Sequence, residues 1–291
     1  MKTNVLRSAF AAICAGLLAV PGVAAADTLS DIIERGSVSI GVKADFPPFG
    51  MRDTNGNLVG LEIDLGRDLA ERISKQAGKP ITADFVVVAS ANRMEFLEQG
   101  RIDVLLANMT DTAERRKVVG IVQPNYYSSG IAVFARNDSG LDGWESLNGK
   151  PICGIQGAWF NKDFGTKNGA DMVTFKGVPE AEAALLAGRC IGWLYDDSAF
   201  AARKAGAPEK WADYSLVTPV TADAPWGAAV RKDDLGQPIN AALSEAIIDW
   251  HKSGLLGELQ KKWGLTNTSW VSAMKEKCAA NDKVCDATPD E

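Results

Sequence analysis

The chain has 291 residues, a formal charge of −6 and a single histidine. The acidic balance disfavours nucleic acid or an anionic membrane as a partner. One histidine and no Cys-x-x-Cys leave little from which to build a zinc site.

The first element is a leader. Lys2 and Arg7 precede an apolar run over residues 8–20, which Pro21-Gly22 breaks before Ala24-Ala25-Ala26. This is the pattern of a secretory signal peptide over residues 1–26, cut before Asp27. The apolar run is shorter than the roughly 20 residues that span a bilayer. Ile13 before Cys14, with the apolar run continuing past it, argues against a lipoprotein. Without the leader, 29 Lys and Arg face 37 Asp and Glu, a charge of −8 on an exported chain. That length suits one large domain or two moderate ones.

Strand and helix patterns then alternate. Residues 38–42 read as a strand. Residues 62–75 follow as a helix, with Ile63, Leu65, Leu69 and Ile73 on one apolar face. Residues 84–88 form a strand, 93–99 a helix and 103–106 a strand. The pattern restarts with a strand at 151–155, a helix at 159–167 and a strand at 172–175. A helix at 180–187, a strand at 190–194 and a helix at 197–204 complete it. Two such blocks imply two α/β units with largely parallel sheets. A strand at 227–230 and helices at 234–253 and 255–263 come last. The polar tail beyond Trp263 is expected to be loosely held apart from a disulfide.

Four cysteines remain in the exported chain, with three possible pairings. Cys278 and Cys285 close a short loop in a segment with little core of its own, which leaves Cys153 with Cys190 inside strand-like runs. An oxidising compartment favours these bridges over metal ligation.

Ligands in open α/β sheets bind beyond the carboxyl ends of strands, and several stretches fall there. The turn after the first strand, residues 43–49, holds Phe46 and Phe49 around a rigid Pro47-Pro48. After the strand at 103–106 come Asn108, Thr110 and Asp111-Thr112-Ala113-Glu114, the last four spaced as a helix-capping pair. Helix-start amides and the Thr110 hydroxyl suit an anion. Arg115, one turn in, carries a planar fork that fits a carboxylate. Arg116 reads as part of a solvated face. His251 reads as a structural residue, exposed or packed.

The ordered set of stretches resembles the polar amino-acid family of periplasmic substrate-binding proteins that feed ABC importers, solute-binding protein family 3. The matching stretches are 41–49, 55–65, 97–103, 109–115, 124–130 and 147–150. Gly188-Arg189, Tyr195-Asp196-Asp197 and residues 229–234 also match, so the likeness covers nearly all of the exported chain. General and acidic amino-acid binders are nearest in motif.

The resemblance implies a two-lobed type II α/β fold with two crossovers, near residues 131–136 and 224–231. Residues 27–131 and 231–270 would form lobe 1, residues 132–230 lobe 2, and residues 271–291 a disulfide-looped tail. It implies a monomer that closes on an amino acid and docks on an inner-membrane ABC permease, with no cofactor. Arg115 would grip the ligand α-carboxylate with help from Asn108 and Thr110, Asp196 would take the α-ammonium, and Phe46 would cover the stem. Asn92-Arg93 resembles the pair that brings an arginine to an acidic side chain, and Lys43 would assist. Asp197 would be a helix cap.

Two departures bear on the ligand. Many relatives have a hydroxyl-bearing Gly-Thr-Thr or Gly-Ser-Thr loop in the second lobe, where this chain has Gly157-Ala158-Trp159-Phe160. Trp159 would line the pocket in place of those hydroxyls. Trp226 stands where a tyrosine is common. Cyclohexadienyl dehydratases resemble these binders too, but the zwitterion-binding set favours binding over catalysis. A ligand-loaded partner of a membrane sensor is a further reading, which sequence separates poorly from transport.

Overall fold

The computed structural model describes residues 27–221, 223–265 and 268–285. The leader with its cleavage site, and residues 286–291 of the tail, lie outside the described residues.

Two five-stranded sheets organise the chain. In spatial order the first is Thr82–Val87, Ser37–Val42, Val104–Leu105, Ala229–Val230 and Gly120–Ile121. The second is Asp171–Phe175, Pro151–Ile155, Gly192–Asp196, Ile131–Arg136 and Tyr214–Leu216. Both are mixed rather than largely parallel. Ser37–Val42 runs parallel to both neighbours, as Pro151–Ile155 does to its own. Ala229–Val230 and Ile131–Arg136 run antiparallel to their neighbours. The reason is topological: these strands arrive from the opposite sheet, not from a right-handed βαβ crossover.

Between the sheets lies an antiparallel pair, Tyr127–Ser129 with Ala224–Trp226. The outgoing chain continues from it into Ile131–Arg136 of the second sheet, and the returning chain into Ala229–Val230 of the first. The result is an α/β fold of two lobes.

The helix Leu61–Ala77 forms because Leu61, Leu65, Leu69 and Ile73 share a buried face against the first sheet. Each such side chain, fully buried, contributes about 1.5–3 kcal/mol. The C-terminal helices Pro238–Ser253 and Leu255–Lys262 pack on this same helix. Trp250 Nε1 donates to Asp68 (2.6 Å), Arg72 pairs with Asp249 (2.7 Å), and Trp263 Nε1 donates to Asp64 (2.8 Å).

Three local readings change. The expected helix at 159–167 is a π-helical turn, Asn161–Gly165, followed by a 3₁₀ turn, Thr166–Asn168. Asn161 Nδ2 donates to Ile155 O and Asn168 Nδ2 to Phe164 O, side-chain bonds that compete with a regular helical ladder. The strand expected from Cys190 begins at Gly192, because Arg189 N is still bonded to Ala184 O in the preceding turn. The long helix begins at Pro238, a residue suited to the first helical position, not at Asp234. Asp234 is instead buried in a 3₁₀ turn, where it accepts from Thr28 (2.8 Å) and Arg231 (3.0 Å).

Within the tail after Trp263, residues 269–285 are firmly held. Ser269–Ala279 is a helix that buries Val271, Met274 and Cys278, with Thr268 as its N-cap. Both disulfides form, Cys153–Cys190 with Cα atoms 5.5 Å apart and Cys278–Cys285 at 5.2 Å. No cluster of His, Cys, Asp and Glu suited to a metal occurs among the described residues. His251 is buried, with Nε2 2.9 Å from Asn125 O and its ring against Trp270.

Candidate functional site

Three charged side chains converge, two from helices that follow a strand and one from the end of a strand. Arg93 opens the helix Arg93–Glu98 after Thr82–Val87, and Arg115 lies in the short helix Ala113–Arg116 after Val104–Leu105. Asp196 ends the strand Gly192–Asp196 of the other sheet. All are buried, at 3%, 7% and 2% exposure, and close enough to act on one another's charge.

Burial and the neighbouring Arg93 push the Arg115 guanidinium down to about 9, still charged at neutral pH. Burial also lowers Arg93. Burial and the adjacent Asp197 raise the Asp196 carboxyl to about 7, against a smaller opposing pull from Arg93. Desolvation therefore outweighs pairing at all three, the condition of groups whose charges are incompletely matched.

Arg115 Nη1 donates to Thr110 O (2.8 Å) and Nη2 reaches across to Gly157 O (3.2 Å). Thr110 thus supplies its carbonyl to Arg115, and its backbone bridges to Trp226. The Gly157 contact needs glycine twice over. Its φ is +80°, and a Cβ there would sit 2.7 Å from both Ala91 Cα and Ser90 O.

Arg93 donates to Ala107 O, so it does more than begin a helix. Asn92 fixes the approach by accepting from Ala89 N (2.8 Å). Asn108 adopts φ +42°, and its N–H is held by Glu62 Oε1 (2.7 Å) and Tyr126 OH (3.2 Å). Tyr126 OH also donates to Glu62 Oε1 at 2.5 Å. Glu62 is fully buried, and burial raises its carboxyl above the ordinary range. Asn108 Oδ1 and Glu62 Oε2 are buried without a hydrogen-bond partner among the described residues.

Phe46 is fully buried at the join of the lobes. Its ring stacks on Phe49 (5.1 Å) and meets Tyr195 edge-on (5.4 Å) and Trp226 at a tilt (5.8 Å). Trp226 is fully buried between Phe49 and Tyr127. Trp159 is half-buried against Phe160 and Phe164, and its Nε1 is buried without a partner among the described residues. It lines a cavity of about 460 Å³ with Thr110, Thr112, Phe164 and Pro225, a cavity that Arg93, Arg115 and Asp196 do not line. Lys43 is fully buried and forms an ion pair with Asp45 (2.9 Å). A separate groove of about 470 Å³ runs past Pro47, Pro48, Arg203, Trp211 and Trp263, and none of the three converging charges lines it.

Three local assignments are corrected. The helix cap is Thr112, whose hydroxyl accepts from Arg115 N (3.3 Å), not the Asp111–Glu114 pair. Asp111 is engaged elsewhere, taking two bonds of 2.7 Å from Arg116, which is therefore a paired residue and not just part of a solvated face. Asp197 is no simple cap either, since its Oδ1 accepts from Ser129 Oγ (2.7 Å) and Gly130 N (2.9 Å) and ties its helix to the chain leaving the interlobe pair.

Glu62, Tyr126 and Asp45 were not singled out in the sequence. Glu62 carried a signal: it falls in phase with Leu65, Leu69 and Ile73, a charge on an apolar face. Tyr126 carried none, because its role depends on a helix 64 residues earlier.

Residues 38–266 match the family described as bacterial extracellular solute-binding proteins, family 3. The chain is 29% identical over 242 residues to the ABC transporter glutamine-binding protein of Bacillus subtilis (strain 168), covering 81% of this chain and 84% of that one. It is 31% identical over 242 residues to the general L-amino acid-binding periplasmic protein of Rhizobium johnstonii, covering 80% and 69%. Among solved structures, a mutant arginine-binding protein from T. maritima superposes with a TM-score of 0.70 at 29% identity, over 81% of this chain and 98% of the other.

Proposed function

The chain belongs to the bacterial extracellular solute-binding proteins, family 3, and from that membership we propose that it binds an L-amino acid in the periplasm and presents it to an inner-membrane ABC permease. The observation that carries this reading is the buried set of Arg115, Arg93 and Asp196, with Phe46 against Tyr195, the residue before Asp196. Two cations, one anion and an aromatic wall are what a zwitterion with an electron-rich side chain requires.

In this reading Arg115 exchanges its bond to a backbone carbonyl for the ligand α-carboxylate, with Thr110 and Asn108 beside it, and Asp196 takes the α-ammonium. Phe46 covers the stem. Arg93, with Lys43 behind it, faces the end of the side chain, which favours polar or acidic ligands. Trp159 lines the mouth. Lobe 1 is residues 27–130 and 229–270 and lobe 2 is residues 131–228, not 27–131 with 231–270 and 132–230, because Ile131–Arg136 lies in the second sheet and Ala229–Val230 in the first; residues 271–291 follow as the disulfide-looped tail. The monomer closes by bending at Tyr127–Ser129 and Ala224–Trp226.

The matched relatives are solute-binding proteins, not enzymes. A carboxyl raised to about 7 at Asp196 meets one requirement of a dehydratase, but burial beside Asp197 is enough to raise it and no second catalytic group accompanies it among the described residues. Calorimetric titration of refolded, ligand-stripped protein with the common amino acids tests the proposal. Tight binding of one or a few, abolished in Arg115→Ala with the fold retained, is expected. Retained affinity in Arg115→Ala would sink the carboxylate assignment.

A further inference from the structure

Asp45 joins two things that the binding reading leaves separate. One oxygen, Oδ1, pairs with the buried Lys43 ammonium at 2.9 Å. The other, Oδ2, accepts from Val178 N at 3.1 Å, and Val178 belongs to the other lobe. Val178 is the first residue of the nine-residue helix Val178–Leu186, whose own N-cap position, Gly177, offers no side-chain hydrogen bond. The helix therefore has its leading amide satisfied by a carboxylate from across the cleft, where the helix dipole also favours negative charge.

Local sequence makes room for the contact. A Cβ on Gly177 would lie 2.9 Å from Asp45 Oδ2, so any larger residue would push the carboxylate away. On the other side Asp45 sits on a two-residue strand paired to Met51, which fixes its direction. Lys43 is drawn down by burial and held up chiefly by Asp45, so each group needs the other.

We propose that Asp45 is an interlobe positioning residue, which caps the second-lobe helix only when the lobes are together and at the same time holds the Lys43 ammonium in place. The inference rests on the two-lobe closure proposed above and adds to it in two ways. Closure has a contact of its own that no ligand atom supplies. And Lys43 already has an internal counter-ion, so selectivity for an acidic side chain falls on Arg93. A ligand contacts neither Asp45 nor Val178 N in this scheme, so loss of the latch weakens all ligands alike, through release rather than capture.

Two variants break the bond from opposite ends. Asp45→Ala removes the acceptor. Val178→Pro removes the donor, together with a buried isopropyl group, at a helix position where proline is tolerated, and leaves the Lys43–Asp45 pair intact. Double electron–electron resonance between nitroxides on the two lobes would read the closed fraction of ligand-free protein, with circular dichroism confirming the fold. The expected result is a closed population in the wild type that falls about tenfold in each single variant, with the double variant no worse than either. L-glutamate and L-glutamine, used as probes, should dissociate about tenfold faster from each. Closed fractions equal in all four proteins, whether high or nil, would overturn the latch, and so would multiplicative losses in the double variant. Failure of both probes and every other amino acid to bind the wild type would instead overturn the functional reading, and calorimetry reads that outcome separately.

Discussion

The Asp196→Asn substitution should stabilise the ligand-free protein while destroying its function. Asp196 is 2% exposed, and burial with Asp197 alongside lifts its carboxyl from an ordinary 3.8 to about 7. A carboxyl whose folded value lies above its unfolded one opposes folding when ionised. That opposition is complete above pH 7 and fades as pH falls from 7 towards 4, where both states hold the proton. At about 1.4 kcal/mol per pH unit, the gap corresponds to roughly 4 kcal/mol. Opening of the cleft would relieve part of it, so this is a ceiling. Asparagine keeps the shape and carries no charge. Urea unfolding of both proteins, stripped of ligand, at pH 8 and pH 4 measures the difference. The variant should be more stable by up to about 4 kcal/mol at pH 8 and nearly equal at pH 4. Equal stability at pH 8, or a less stable variant, would show that Arg93 and Arg115 already compensate the carboxylate, and the argument from unmatched burial would fail.

The remaining predictions address selectivity, closure and the disulfides. Arg93→Met should weaken acidic ligands at least tenfold more than neutral ones, by calorimetry; equal losses in both classes would remove its role at the side chain. Gly157→Ala forces a side chain onto +80° backbone against Ser90 and Ala91, so it should weaken every ligand and shift scattering profiles towards the open form without unfolding the second lobe. Replacing Cys153 and Cys190 by alanine should cost about 4 kcal/mol from the chain-entropy relation, and replacing Cys278 and Cys285 about 2.5 kcal/mol, because the second loop is shorter. Thermal unfolding of the two double variants should rank them in that order.

How far the fold was legible depended on whether a signal was local. The helix over Leu61–Ala77 announced itself through Leu65, Leu69 and Ile73, and the strands at 38–42 and 151–155 through short apolar runs. The antiparallel strands of each sheet were not legible, since direction depends on which lobe a strand enters from. The 159–167 segment misled because Asn161 and Asn168 spend their amides on backbone carbonyls, a choice that periodicity does not register. The tail looked polar, yet Val271, Met274 and Cys278 line one side of a helix with few apolar residues elsewhere.

At the site, Arg115 was readable from its place one turn into a helix that follows a strand, Arg93 and Asp196 only through the family resemblance, and the structure brings the three together. Their supports were not. Glu62 holds Asn108 from 46 residues away, and Asp45 meets Val178 across 133 residues. The first contact forms only once lobe 1 has folded and the second only once the two lobes have approached, and a single sequence carries no mark of either beyond an out-of-place charge.

The central claim is that both charged ends of an amino acid are recognised, one by Arg115 and the other by Asp196. The most direct measurement is a calorimetric comparison of the tightest amino acid with its methyl ester and its N-acetyl derivative, on refolded ligand-stripped protein. The account predicts tight binding of the free amino acid and a loss of at least a hundredfold for each derivative, one blocking the carboxylate and the other the ammonium. Either derivative binding as tightly as the parent would contradict it and identify which of the two residues has been misassigned.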